Sequence, residues 1–306
     1  MADTTASKED ATPSTSTASS TSPLPEIHLL CMIDDYATAF NDAVTSHYPT
    51  LPDVTKITHH DCALKYLDQE VRFDAVISPA NSYARLDGAF DDALARAYGP
   101  RGDYGWITRK AQKVLYEEWR GFAPPGTCTV IPLDHDDPLP PGVMGWDEAA
   151  GGQKNPWGTE YLLLCPTMRV PCDARWDREV VYECIWSLLC AVDNHNRAVR
   201  RQQESSPGGE KLLKEIKSIL MTPLAVGVGR VTAKRWAEQC VIAMKHYVEA
   251  VQNPVEWSSL SWGKALSDHG EVVGTYGTVR TEEQPSGISL SSIMIVVVFL
   301  KARSQL

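Results

Sequence analysis

Short apolar runs alternate with segments whose apolar residues recur every three or four positions, and this predicts an α/β protein with a sheet covered on both faces. Three observations carry that reading. The runs at 27–33, 75–78 and 161–165 are almost wholly apolar, as strands buried on two sides should be. The segments between them have helical spacing. No repeat of fixed period and no long apolar helix interrupts the alternation.

The elements follow in order. "IHLLCMI" (27–33) reads as a strand and 36–48 as a helix. "DVTKITHH" (53–60) is strand-like, and 75–78 is a buried strand. Phe90, Ala93, Leu94, Ala97 and Tyr98 share a helix stripe. Residues 127–132 and 161–165 are again strands. Val181, Ile185, Leu188, Leu189 and Val192 mark one face of a helix. Residues 219–226 read as a strand, followed by a helix carrying Trp236, Cys240, Met244, Tyr247 and Val248.

Around this domain, set at 26–255, lie less regular stretches. Residues 1–25 are nearly all Ser, Thr, Ala, Pro and charge, too polar to offset their own ordering entropy, and contain no secretory h-region. Polar insertions are expected at 134–158 and 196–217, the first as a rim over a site because it carries Trp146 and Trp157. In the extension 256–306 the apolar run 293–300 is far short of the roughly 20 residues a membrane-spanning helix needs. No membrane association is expected.

Composition narrows the function. A net charge of -10 argues against a dedicated nucleic-acid binder. Eight cysteines without a CxxC pair read as reduced thiols, hence a cytoplasmic or nuclear protein, and a monomer is expected. His59 and His60 fall on opposite faces of a strand, so they cannot share a metal; neither metal nor cofactor is expected.

In open α/β sheets ligands sit beyond the carboxyl ends of strands, and three such corners are polar here. In "SPANSYARLDGAFDD", Asn81 offers donors and an acceptor suited to a diol, Gly88 permits a turn, and Asp91 sits in the first helical turn. Equally, Asp87 could cap that helix, with Asp91 and Asp92 merely complementing its dipole, each worth roughly 0.3–1 kcal/mol. In "TPLAVGVGRV", Gly227-Val228-Gly229 would bring backbone N–H groups to a phosphate with Arg230 beside them, or would form only a tight turn. Asp61, after the strand ending at His60, is an acceptor for an exocyclic amine or else a turn residue.

Together the three corners resemble a macro domain, the module that binds ADP-ribose. "SPANSYARLDGAFD" is similar to the wording of its phage-tail-like subgroup, as are "YLLLCPTMRVP" (161–171) and "PLAVGVGRVTAKRWAEQC". The resemblance implies a three-layer α/β/α fold with a mixed, mostly parallel sheet, and a site that takes ADP-ribose or an ADP-ribosylated protein. It places Asp61 at the adenine amine and Asn81 at the distal ribose. It places Leu86, Asp87, Gly88, Ala89 and Phe90, with Ala225, Val226, Gly227, Val228, Gly229 and Arg230, around the diphosphate. Asp91 matches the acid that hydrolytic members use to orient or activate water, with Asn81 as its ribose clamp. Ala225 and Val226 stand where relatives carry Gly and a small hydroxyl residue, so Val226 is expected to crowd the phosphates. Three roles stay open on this basis: an ADP-ribosyl hydrolase, a non-catalytic reader, and an interaction module that has lost its ligand.

Overall fold

A computed structural model of the chain describes residues 22–133, 157–205 and 213–277. The tail at 1–21, most of the 134–158 insertion with Trp146, and the apolar run at 293–300 lie outside the described residues.

Six short strands form one sheet: β1 (Glu26–Leu30), β2 (Ile57–His60), β3 (Ala75–Ser78), β4 (Thr129–Pro132), β5 (Tyr161–Leu164) and β6 (Ser218–Met221). Their order is β2-β1-β6-β3-β5-β4. Every neighbouring pair is parallel except β4 with β5 at one edge. The sheet is therefore mixed and mostly parallel. The helices are α1 (Asp34–His47), α2 (Leu51–Val54), α3 (Ala89–Tyr98), α4 (Trp106–Trp119), α5 (Val180–Ser205), α6 (Ala233–Gln252), α7 (Pro254–Trp257) and α8 (Trp262–Val273).

The period-2 alternation of the strands sorts the core into two layers. Ile27, Leu29, Ala75, Ile77, Tyr161, Leu163, Ile219 and Met221 point to one face, where α1, α5 and α6 cover them. Leu30, Val76, Leu162, Leu164 and Leu220 point to the other, under α3 and α4. The result is three layers, α/β/α. Trp236 of α6 is fully buried against Phe40 of α1, with ring centroids 6.0 Å apart. His59 faces Phe40 across a T-shaped contact, while His60 stacks on His28 at the opposite face.

Several strands are shorter than their apolar runs. The run at 219–226 leaves the sheet at Thr222-Pro223, because proline has no N–H for the ladder. The same event ends β3 at Ser78-Pro79 and β5 at Cys165-Pro166. Residues 51–54 are a helical turn with Pro52 in its first positions, so only 57–60 of the expected 53–60 strand is extended. Helix α5 runs on to Ser205, through the first part of the segment expected as a 196–217 insertion. Asn196 then clamps Ile216 from both sides, its Nδ2 donating to the carbonyl and its Oδ1 accepting from the N–H. Trp157, expected on a rim, is buried beside Phe73 and Tyr98.

Helix α4 has no counterpart in the sequence reading. Its buried Trp106, Ile107, Ala111 and Leu115 are spread among Arg, Lys, Gln and Glu. Beyond residue 255 the chain continues into α7 and α8, which fold back on α6. Lys245 pairs with Glu271, and Gln239 donates to the Thr275 hydroxyl at 2.9 Å. Among the described residues, no helix is long and apolar enough to cross a membrane.

Candidate functional site

Strands β6 and β3 are neighbours, yet β6 feeds α6 on one face while β3 feeds α3 on the other. Two chains leaving in opposite directions open a crevice beyond the strand ends. A cavity of about 470 Å³ fills it. Its walls are the β3–α3 loop, the β6–α6 loop, the turn after β5 and Met32 beyond β1.

The β3 corner carries the ionisable chemistry. Asp91, in the first turn of α3, is only 6% exposed and accepts from the Ser78 hydroxyl at 2.7 Å. Burial pushes its carboxyl up to about 7, against the pull of the Ser78 bond, and the charge of Asp87 adds to the rise. A carboxyl poised there can take or give a proton near neutrality. Helix α3 begins after Gly88 with no side-chain cap. Ala89 is in the left-handed region at φ 51°, and no acceptor among the described residues takes the N–H of Ala89 or Phe90.

Asn81 builds the loop between. Its Oδ1 accepts from the N–H groups of Tyr83 (3.1 Å) and Arg85 (3.3 Å), and its Nδ2 donates to the Arg85 carbonyl (2.8 Å). One Nδ2 hydrogen is left for a ligand. Ala84, at φ 53°, turns the chain inside this clamp. Leu86 is fully buried in the second core layer and does not line the cavity. Its N–H is held by the Thr108 hydroxyl at 3.3 Å.

The β6 corner contributes backbone. Ala225 (φ 60°) and Arg230 (φ 58°) both sit in the left-handed region. Two turn bonds close the loop, Val231 N–H to Ala225 O and Arg230 N–H to Gly227 O, each 3.1 Å. A Cβ at Gly229 would lie 2.4 Å from the Ala225 carbonyl oxygen, so only glycine fits there. Among the described residues, nothing accepts from the N–H groups of Val226, Gly227, Val228 and Gly229. Val226 is half-buried, packs against the first core layer and also lines the cavity.

Of the residues singled out from sequence, Asn81, Asp87, Gly88, Ala89, Phe90, Asp91, Ala225, Val226, Gly227, Val228 and Gly229 line the cavity together. Arg230 and Asp61 do not. Asp61 is exposed at the end of β2. Its charge reaches Cys31, whose thiol burial and then Asp61 push up to about 11. Lining residues that the sequence reading did not assign include Met32, Tyr83, Arg85, Thr167, Met168 and Val170. Thr167 is 2% exposed, and its Oγ1 has no partner among the described residues. The strand ending at Cys165-Pro166 was the signal that its turn joins the crevice. Among the described residues, no group of three His, Cys, Asp or Glu could hold a metal ion.

No protein-family model matches the sequence, and no curated protein matches it. Solved structures similar to the chain include the Oceanobacillus iheyensis macrodomain with MES bound, at 13% identity and a TM-score of 0.34, covering 59% of this chain and 73% of that one. The same macrodomain with ADP matches at 13% identity and a TM-score of 0.34, covering 62% and 86%. A glycine-to-valine mutant of it with ADPR matches at 12% identity and a TM-score of 0.33, covering 62% and 88%.

Proposed function

We propose that the chain is a macro-domain protein that binds ADP-ribose, free or attached to protein, and hydrolyses the ADP-ribosyl linkage. The observation that carries this reading is the pairing, in one cavity, of a buried carboxyl poised near pH 7 with two stretches of unengaged backbone N–H. A cavity of about 470 Å³ is in the range that takes small ligands and cofactors.

The chemistry of each wall suggests the ligand's placement. The N–H groups at Ala89 and Phe90 and at Val226 to Gly229 suit a diphosphate, helped by the positive end of α3. The remaining Nδ2 hydrogen of Asn81 and the unpartnered Thr167 hydroxyl suit ribose hydroxyls. Met32, Met168 and Val170 give an apolar surface for a base. Asp61, outside the lining, would act on the base only from the rim.

In hydrolysis, ionised Asp91 takes a proton from the water that attacks the anomeric carbon of the distal ribose. The bond from that carbon to the modified side chain breaks with its electron pair going to the side-chain atom, and the proton passes from Asp91 to that leaving group or to solvent. Ser78 keeps the carboxylate oriented through its 2.7 Å bond. Base catalysis by a carboxyl at about 7 requires the rate to climb through neutrality and level off above it. The test is release of ADP-ribose from an ADP-ribosylated protein, followed from pH 5 to 9. Release with that profile supports the reading. Tight retention of the modified protein without release would make the chain a reader.

A further inference from the structure

Arg85 is the only cationic side chain lining the cavity among the described residues, and it is engaged: its Nε donates to Asp87 Oδ2 at 3.0 Å, and its Nη2 donates to the same oxygen. Asp87 lines the cavity too. We propose that Arg85 is a diphosphate-capturing side chain held in reserve by Asp87, and that its transfer from Asp87 to the ligand makes the site discriminate diphosphates from monophosphates. This rests on the reading of the site given above and adds a side-chain determinant to it.

Three features support the transfer. First, both Arg85 donors converge on one oxygen, where a guanidinium fork is best matched by two. A diphosphate supplies oxygens on adjacent phosphorus atoms for that fork. Second, the pair lies at the mouth, with the Arg85 side chain 63% and the Asp87 side chain 43% exposed, so solvent screens it and little holds it shut. Third, the root of the arm is already fixed. Asn81 binds both the N–H and the carbonyl of Arg85, so capture requires only side-chain rotation.

Electrostatics gives the device its direction. With Arg85 on Asp87, the acidic and basic side chains lining the cavity are Asp91 and an ion pair, so the backbone N–H groups alone attract a doubly charged ligand. With Arg85 on the ligand, the cation meets a larger opposing charge than one carboxylate carries.

The test is calorimetric titration of the full chain with ADP-ribose, AMP and inorganic pyrophosphate, for wild type, Arg85→Ala, Arg85→Lys, Asp87→Asn and the double variant Arg85→Ala with Asp87→Asn. Arg85→Ala should weaken ADP-ribose by about tenfold, AMP much less, and Arg85→Lys should restore only part of the loss. Asp87→Asn should tighten ADP-ribose by about threefold, and the double variant should return to the level of Arg85→Ala. If wild type binds ADP-ribose and Arg85→Ala binds it equally well, the proposal falls while the site reading stands. If ADP-ribose gives no heat but pyrophosphate binds through Arg85, the capture stands and the nucleotide reading falls. If neither ligand gives heat with wild type or Asp87→Asn, the capture is overturned.

Discussion

The β3 and β6 corners both carry a parallel strand into a helix on the rim of one cavity, but they finish the helix start differently. At the β6 corner the hydroxyl of Thr232 caps α6, accepting from the Arg235 N–H at 3.2 Å. At the β3 corner α3 has no side-chain cap, and the first-turn position holds a buried carboxyl instead. One corner is finished as structure and presents only backbone N–H to the cavity. The other leaves its helix end open and holds the carboxyl that burial raises to about 7. The contrast teaches that two strand-to-helix corners of the same sheet can differ in how the helix start is completed, one by a side-chain cap and one with its first N–H groups left facing the cavity.

The largest effect should come from Asp91. Asp91→Asn keeps an acceptor for Ser78 but removes the titrating group, so ADP-ribose release should fall at least 100-fold. Retained turnover, measured as initial rate, would move the chemistry away from the β3 corner.

Next in size are the loop and cap residues. Asn81→Ala strips partners from two N–H groups and one carbonyl, and should cost about 3 kcal/mol in urea unfolding. Thr232→Ala removes one cap and should cost about 1 kcal/mol while leaving turnover almost unchanged. Equal costs would erase the distinction between the corners.

The raised carboxyl also links stability to pH. Its folded value of about 7 stands above the ordinary 3.8, so the folded chain holds a proton that the unfolded chain has lost between those limits. Stability should fall as pH rises from about 4 to about 7, and stay lower above. Asp91→Asn should therefore be more stable than wild type at pH 8, on the order of 4 kcal/mol, with the gap closing only as pH falls to about 4. A gap independent of pH would place the ionisation elsewhere.

The smallest effect concerns strain shared by both corners. Ala89 and Ala225 hold left-handed backbone that glycine adopts freely. Ala89→Gly and Ala225→Gly should each stabilise the fold by about 0.5 kcal/mol, read by thermal unfolding. Loss of stability at either would mean the methyl group contributes more than the strain costs.

Much of this architecture was legible because the signals are local. Three of the strands that lead to the cavity, β3, β5 and β6, meet a proline within two residues, and period-2 burial sorted the core layers. Asn81, Gly88 and Asp91 could be placed in one corner from the stop at Ser78-Pro79. The role of Asn81 could not, since its clamp on Arg85 depends on a left-handed turn at Ala84, a residue type that gives no hint of one. Helix α4 escaped notice because its four buried residues are diluted by charge. Leu86 counted as a loop residue because burial of its side chain is a tertiary outcome. Asp61 lies outside the lining because β2 is an edge strand with β1 between it and β6, an order that no local pattern encodes.

The cavity's identity as an ADP-ribose site is tested most directly by calorimetric titration of the full chain with ADP-ribose, with AMP for comparison. The expected result is micromolar or tighter binding of ADP-ribose, with AMP at least about tenfold weaker because it lacks the second phosphate and ribose. No heat from ADP-ribose on folded protein would contradict the account.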